Sequence, residues 1–258
     1  MDTTALVDAV RPYLAHALIC VDFDGTLAPI VPRPGDSRPA PGAIPALRRL
    51  AERGAQIAVI TGRDARTVVQ LGHLEAVPGL IVEGLYGAEQ WRGGELTTPP
   101  EPASIRQLRA ELPGIVAQGD PELWIEDKRL SLVVHARLTA DPQAALEAVQ
   151  DRIAELGGRL GLVVHPGRDV IELRLPGYDK GTALRRLAAE LRPESILCMG
   201  DDIGDLPAFA VVAELREKGA PAWSVAAVSA EVPEVVAAAD VQVDGPAGIV
   251  ALLTALGE

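Results

Sequence analysis

Leu18-Ile19-Cys20-Val21-Asp22-Phe23-Asp24-Gly25-Thr26-Leu27 sets four apolar residues directly before two aspartates, one residue apart, and a glycine turn. Four apolar residues closed by a turn signal fit a strand buried on both faces of a parallel sheet. In open α/β sheets, ligands bind beyond the carboxyl ends of the strands, and Asp22 and Asp24 stand at such an end. Carboxylates at i and i+2 can there share one crevice, one binding Mg²⁺ and attacking an electrophile while the other moves a proton. Gly25 lets the backbone turn beneath them. A plain strand end followed by an Asp-Gly turn would use the same residues, so the rest of the chain decides between the two readings.

Working outward, the chain alternates. Ala43 to Arg53 reads as a helix, Gln56 to Ile60 as a strand, Arg66 to Leu71 as a helix and Leu80 to Val82 as a strand. The rhythm resumes after Asp179 with a helix to Leu191, a strand at Ile196 to Met199, a helix from Leu206 to Arg216, a strand at Trp223 to Val228 and a helix from Pro246 to Leu256. Such βαβ alternation builds a parallel sheet. Between these halves the pattern changes. After Pro99-Pro100-Glu101-Pro102 come a helix from Ile105 to Gln118, a strand at Leu123 to Glu126 and an alternating strand at Leu130 to Arg137. Asp141-Pro142 opens a helix that Gly157-Gly158 is expected to stop, and strands at Leu160 to His165 and Val170 to Leu175 flank Pro166-Gly167-Arg168. The expected fold is α/β: a doubly wound parallel-sheet core over residues 1–100 and 176–258, carrying an inserted α+β domain of αββαββ pattern over 101–175.

Composition narrows the function. The 258 residues are 48% apolar but only 3% aromatic, so the core is built from Ala, Val, Leu and Ile. A net charge of -12 argues against nucleic acid as partner, because a phosphate backbone calls for a basic face. The first twenty residues show neither a basic leader with an apolar core nor a membrane span, so a cytoplasmic enzyme acting on a small molecule is expected. Cys20 and Cys198 lie in apolar strands and read as buried small hydrophobes. His16, His73, His135 and His165 have no zinc-like spacing.

Three further segments carry chemistry. Ile57 to Ile60 is a strand that ends in Thr61-Gly62-Arg63-Asp64, where the Thr61 hydroxyl and the free amides of a helix start suit a phosphate. Arg63 either binds an anion or caps a surface. Tyr178-Asp179-Lys180-Gly181-Thr182 opens the helix after the insert, and Lys180 is one of only three lysines beside many arginines. An ammonium there can offset phosphoryl and carboxylate charge. Finally, Met199-Gly200-Asp201-Asp202-Ile203-Gly204-Asp205 puts three aspartates after another buried strand, where a divalent cation is the economical way to relieve their repulsion.

Taken in this order, the four strand-end segments resemble the haloacid dehalogenase (HAD) superfamily of phosphohydrolases. The resemblance implies that Asp22 attacks phosphorus to form an aspartyl-phosphate, while Asp24 protonates the leaving oxygen and then activates water. Thr61 and Lys180 would hold the phosphoryl group. Mg²⁺ would be bound by Asp22, the backbone carbonyl of Asp24 and Asp201, with Asp202 and Asp205 assisting. The insert, lying between the second and third segments, resembles the cap of the sugar-phosphate phosphatase branch.

More specific strings are similar to trehalose-6-phosphate phosphatases: Gly84-Leu85-Tyr86-Gly87-Ala88-Glu89, then Glu126-Asp127-Lys128 followed by Ser131, His135 and Arg137, then Glu172-Leu173-Arg174. In that family a cap glutamate and lysine with a second glutamate hydrogen-bond the distal glucose, and these map to Glu126, Lys128 and Glu172. Substrate contacts are thereby implied at Thr61, Gly62, Arg63, Tyr86, Glu89, Glu126, Lys128, Arg137, Glu172 and Lys180, with Arg137 open to a strand-face salt bridge instead. Also implied are a sugar-phosphate substrate and a pathway partner in trehalose-6-phosphate synthase. The cap is expected to close on hinges near Thr97 to Pro102 and Pro176-Gly177, because the chain crosses between the expected domains only there. One departure stands out. The family pattern Gly-Asp-Asp-x-Thr-Asp-Glu reads here Gly200-Asp201-Asp202-Ile203-Gly204-Asp205-Leu206, without the Thr and Glu. Sucrose 6-phosphate, glucosyl- or mannosyl-3-phosphoglycerate, phosphomannomutase-like isomerisation and a silent sugar-phosphate sensor are the alternatives.

Overall fold

Alternation along the central strand sorts the core into two layers. In a computed structural model that describes residues 1–167, 169–228 and 233–258, Leu18 and Cys20 face one layer of helices while Ile19 and Val21 face the other. The strands, in chain order, are β1 (Ala17–Val21), β2 (Gln56–Ile60), β3 (Ile81–Gly84), β4 (Glu89–Arg92), β5 (Glu95–Thr97), β6 (Trp124–Asp127), β7 (Ser131–His135), β8 (Val163–Gly167), β9 (Val170–Arg174), β10 (Ser195–Gly200), β11 (Ala222–Val228) and β12 (Val241–Asp244). The helices are α1 (Thr3–Val10), α2 (Ala43–Glu52), α3 (Ala65–Gly72), α4 (Ala103–Val116), α5 (Pro142–Leu160), α6 (Lys180–Leu191), α7 (Leu206–Glu217), α8 (Pro233–Ala238) and α9 (Gly245–Gly257).

The chain divides into two compact units, Met1–Thr98 with Asp179–Glu258 and Pro99–Tyr178. The first holds an eight-stranded sheet of order β12-β11-β10-β1-β2-β3-β4-β5 among the described residues. Strands β12 through β3 run parallel, and β4 and β5 add an antiparallel edge. One face is covered by α1, α2, α3 and α9 and the other by α6, α7 and α8, which is the doubly wound α/β arrangement. Each completely buried leucine, such as Leu18 or Leu184, contributes about 1.5–3 kcal/mol through removal from water.

The second unit is an antiparallel sheet of order β6-β7-β9-β8. Its inward side chains Leu132, Val134, Ile171 and Leu173 pack against Ile105, Leu108 and Leu112 of α4 and Val149 and Ile153 of α5. Asp141 caps α5 by accepting from the Ala144 amide at 3.1 Å, with Pro142 at the first helical position.

Several boundaries differ from the expectation. Gly157-Gly158 does not stop α5. The helix runs through both to Leu160, with Val164 packed where a Gly157 side chain would stand, and the stop is Gly161, in the left-handed region at φ 66°. The following strand consequently starts at Val163 rather than Leu160. The strand expected to reach Arg137 ends at His135, leaving Arg137 in an exposed turn. Arg168, expected in the turn between β8 and β9, lies outside the described residues. The β4–β5 hairpin, β12, α1 and α8 were not expected at all.

Candidate active site

Connectivity in the large sheet reverses at β1, which has β2 on one side and β10 on the other. Open α/β sheets hold their ligands at such a switch point. Asp22 leaves β1 there, 5% exposed, with its amide donating to the Met199 carbonyl at 3.0 Å. Asp179 caps α6 by accepting from Thr182 at 2.6 Å, and this fixes the next residue, Lys180, at the helix start. The buried Lys180 Nζ lies 2.8 Å from Asp22 Oδ1, 2.8 Å from Asp205 Oδ1 and 3.8 Å from Asp202 Oδ1. Asp205 Oδ2 in turn accepts from the amides of Asp201 (3.0 Å) and Asp202 (3.2 Å), and Asp201 Oδ1 accepts from the Thr26 hydroxyl at 2.8 Å.

Two glycines are required by this convergence. A side chain at Gly25, whose φ is 82°, would overlap the Asp201 carboxylate, and one at Gly200 would overlap that of Asp205. Carboxylate oxygens of Asp22, Asp201 and Asp205 lie within 4.8 Å of one another, all three residues buried.

Charge is out of balance here. Burial, with Asp205 and Asp202 adding to it, pushes Asp201 up to about 7. Asp205 is pushed up to about 6, again mainly by burial, although Lys180 pulls it down. Asp22 is raised well above the carboxylate range by burial and by Asp205, Asp201 and Asp202, against the opposing pull of Lys180. Burial alone would discharge Lys180, but Asp205, Asp22 and Asp202 outweigh it and hold the ammonium protonated. One cation among these acids leaves room for a second. Three converging hard oxygens on buried carboxylates are the donor set Mg²⁺ takes, so the residues present fit that ion.

Thr61, 1% exposed, ends β2 beside β1 and accepts from the Arg63 amide at 3.2 Å. The helix start expected to offer free amides has two of them engaged. Ala65 N–H donates to Glu89 Oε2 at 3.0 Å and Thr67 N–H to Asp64 Oδ1 at 2.8 Å. Glu89, expected at the substrate, is buried and accepts from the first amide of α3. Tyr86 lies with its ring over Gly62, where a side chain would meet Cζ and Oη at 2.8 Å, and its amide donates to the Thr61 carbonyl at 2.9 Å.

Asp24 stands apart from the three clustered carboxylates. Arg63 Nε and Nη2 hold its two oxygens at 2.5 and 2.7 Å, and the buried Ser37 hydroxyl donates at 3.0 Å. Arg63 thus faces the Asp24 carboxylate, and its Nη1 donates to the Pro34 carbonyl at 2.8 Å. Ser37 gives no sequence signal, because it sits in a proline-rich loop whose path only the fold determines. Asp202 is exposed at its side chain.

The second unit carries its own polar group. On β9, Glu172 is buried and accepts from Ser131 Oγ at 2.8 Å, with Lys128 Nζ at 4.0 Å. Glu126 Oε2 lies 2.9 Å from His135 Nε2, and His135 stacks on Trp124. Arg137 shares neither the strand nor this cluster.

A family model described as Trehalose-phosphatase matches residues 20–246. The trehalose-phosphate phosphatase of Mycobacterium leprae (strain TN) is 37% identical over 223 residues, which is 78% of this chain and 48% of that protein. The chain therefore spans about half the length of the curated relatives it matches. Among solved structures, the C-terminal domain of C. albicans trehalose-6-phosphate phosphatase superposes with a TM-score of 0.80 at 23% identity, covering 99% of this chain and 96% of that one. A haloacid dehalogenase-like hydrolase from Bacteroides thetaiotaomicron gives 0.66 at 16% identity, over 92% and 98% of the two chains.

Proposed function

The chain belongs to the trehalose-phosphatase family, and from that premise we propose that it hydrolyses trehalose 6-phosphate to trehalose and inorganic phosphate through an aspartyl-phosphate on Asp22. The observation that carries the chemistry is the buried Lys180 ammonium set 2.8 Å from both Asp22 and Asp205 beside Asp201.

In the first step an Asp22 oxygen bonds to phosphorus as the phosphorus–sugar oxygen bond breaks, and Asp24 gives the departing oxygen its proton. In the second, water attacks the acyl phosphate, Asp24 takes the water's proton, and phosphate leaves with the Asp22 carboxylate restored. Lys180 offsets the charge that gathers on the phosphoryl oxygens and keeps Asp22 pointed at phosphorus. The Thr61 hydroxyl donates to a phosphoryl oxygen. Asp22, Asp201 and Asp205, with the Asp24 carbonyl, would hold Mg²⁺, which when bound supplies the further positive charge that phosphoryl transfer calls for. Glu126, Lys128 and Glu172 would recognise sugar hydroxyls through charge-assisted hydrogen bonds. Trehalose-6-phosphate synthase, supplying the substrate, is the pathway partner proposed. Among the described residues no helix is long and apolar enough to cross a membrane.

The test is phosphate release with Mg²⁺ from trehalose 6-phosphate, sucrose 6-phosphate, glucose 6-phosphate and glucosyl- and mannosyl-3-phosphoglycerate. We expect kcat/KM for trehalose 6-phosphate at least about 100-fold above the others, equal to about 2.7 kcal/mol of discrimination. A flat profile would overturn the substrate and leave the phosphatase chemistry standing.

A further inference from the structure

Strand alternation gives the small sheet two unlike faces. Ile125, Leu132, Val134, Ile171 and Leu173 point to the helices. The opposite face carries Trp124 and Glu126 on β6, Ser131 and His135 on β7, and Glu172 on β9. Trp124 is 40% exposed, one of few large apolar side chains left open to solvent among the described residues. It is not loose there. Its cross-strand partner is His135, and the two rings lie parallel, 3.9 Å between centroids and 4° between planes. His135 is in turn tied through Nε2 to Glu126 at 2.9 Å. The indole is therefore set flat against a buried, anchored ring, while part of it remains open to solvent.

A rigid, exposed aromatic surface next to carboxylates and an ammonium matches a particular ligand chemistry. A pyranose presents a patch of axial C–H groups on one face and hydroxyls around its rim. The C–H patch wants a flat aromatic, and the rim wants charged hydrogen-bonding groups. We propose that Trp124, backed by His135, is a stacking platform for a pyranose ring of the substrate and a determinant of sugar specificity. The inference rests on the phosphatase reading above, but it requires only that the substrate carry a sugar ring, whichever sugar phosphate that is. It extends the polar recognition by Glu126, Lys128 and Glu172 with an apolar contact that those residues cannot make. Glu126 then has two tasks, since it also holds the ring that backs the indole.

The experiment compares wild type with Trp124→Phe, Trp124→Leu and Trp124→Ala on two substrates: the sugar phosphate that wild type turns over best, and p-nitrophenyl phosphate. The quantity read is the ratio of kcat/KM between them. Phe keeps a flat ring, whereas Leu keeps apolar area without one. The ratio should fall about tenfold or more in the Ala and Leu variants and stay within about threefold of wild type in the Phe variant. An unchanged ratio in the Leu variant overturns the platform, even where the Ala variant fails to fold. The second readout needs no turnover. Trehalose added to wild type should change tryptophan emission saturably, and the Phe variant should lose that change. An equal change in both proteins assigns the signal to Trp91 or Trp223 and overturns the proposal. A wild type that prefers a different sugar phosphate defeats the trehalose assignment alone, because the ratio is read on whichever sugar ester it does prefer.

Discussion

Asp24 is gripped through both oxygens by Arg63 and touched by Ser37. An arginine fork fixes the direction of a carboxylate as well as its position, so the group assigned to proton transfer is aimed by a residue from a different loop. Replacing Arg63 with Met should therefore lower kcat/KM for trehalose 6-phosphate about 10- to 100-fold. The loss of kcat/KM on p-nitrophenyl phosphate should be much smaller, because p-nitrophenolate leaves without a proton and kcat/KM does not report the later attack of water that both esters share. Equal losses on the two esters would sink this role. Asp22→Asn should lower turnover by at least about 10³-fold with an unchanged circular dichroism spectrum; substantial residual activity would remove Asp22 as nucleophile. At this scale the sequence was most legible where chemistry clusters. Asp22, Asp201, Asp205 and Lys180 announce themselves as acids and a lysine at strand and helix ends. The partners of Asp24 and the engagement of Glu89 with the α3 amide were not legible, since nothing local in a sequence says which loop crosses which.

Between β3 and β4 the chain makes an unusual turn, with Leu85, Tyr86 and Gly87 at φ 48°, 59° and 93°. Each non-glycine residue in that region costs about 1–2 kcal/mol. The cost is offset by bonds from Leu85 N–H to the Arg63 carbonyl (2.8 Å) and from Tyr86 N–H to the Thr61 carbonyl (2.9 Å), and by Arg186, which donates to the Gly87 carbonyl at 3.0 Å and pairs with the buried Glu83. Burial raises Glu83 above the ordinary glutamate range, while Gln90 and Arg186 pull it back. A raised folded-state value means the folded chain holds the proton longer than the unfolded chain does. The stability this group contributes is thus present at acid pH and lost as pH rises through the folded value. Arg186→Met removes the countering charge and should cost about 2 kcal/mol at neutral pH, less than a fully buried pair because much of Arg186 faces solvent. The difference in melting temperature between variant and wild type should be larger at pH 7.5 than at pH 4.5, and the reverse order would contradict the assignment. Elements with strong periodicity, such as β1, β2 and α6, were legible nearly to the residue. The end of α5 was not, because a glycine kept inside a helix to admit a neighbour, as Gly157 admits Val164, reads the same as the glycine that ends it, here Gly161. The short edge strands β4 and β5 lack the apolar run that marked the others.

At the scale of the molecule, the residues assigned to phosphoryl transfer belong to one unit and those assigned to the sugar belong to the other. Leu112→Ala, in the packed core of the second unit, should cost about 2–5 kcal/mol there. On heating, turnover of trehalose 6-phosphate should fail at a lower temperature than turnover of p-nitrophenyl phosphate. Simultaneous failure would show that the two units melt as one. The division into a doubly wound sheet with an αββαββ insert follows from a change in hydrophobic period that any reader of the chain can see, whereas the strand order follows only once β1 is known to sit at the switch point. The first unit resumes at Asp179, and the very next residue is Lys180. Closing a flexible loop grows costlier only slowly with length, about 0.6 kcal/mol per doubling, so the detour through the second unit burdens the finished protein little. It matters more in time. During synthesis β1 and Asp22 emerge early, but the ammonium that neutralises them comes only after the whole insert has been made. Until then Asp22 has no counter-charge, and β10, which takes the Asp22 amide through Met199 and completes the flank of β1, is delivered by the ribosome later still.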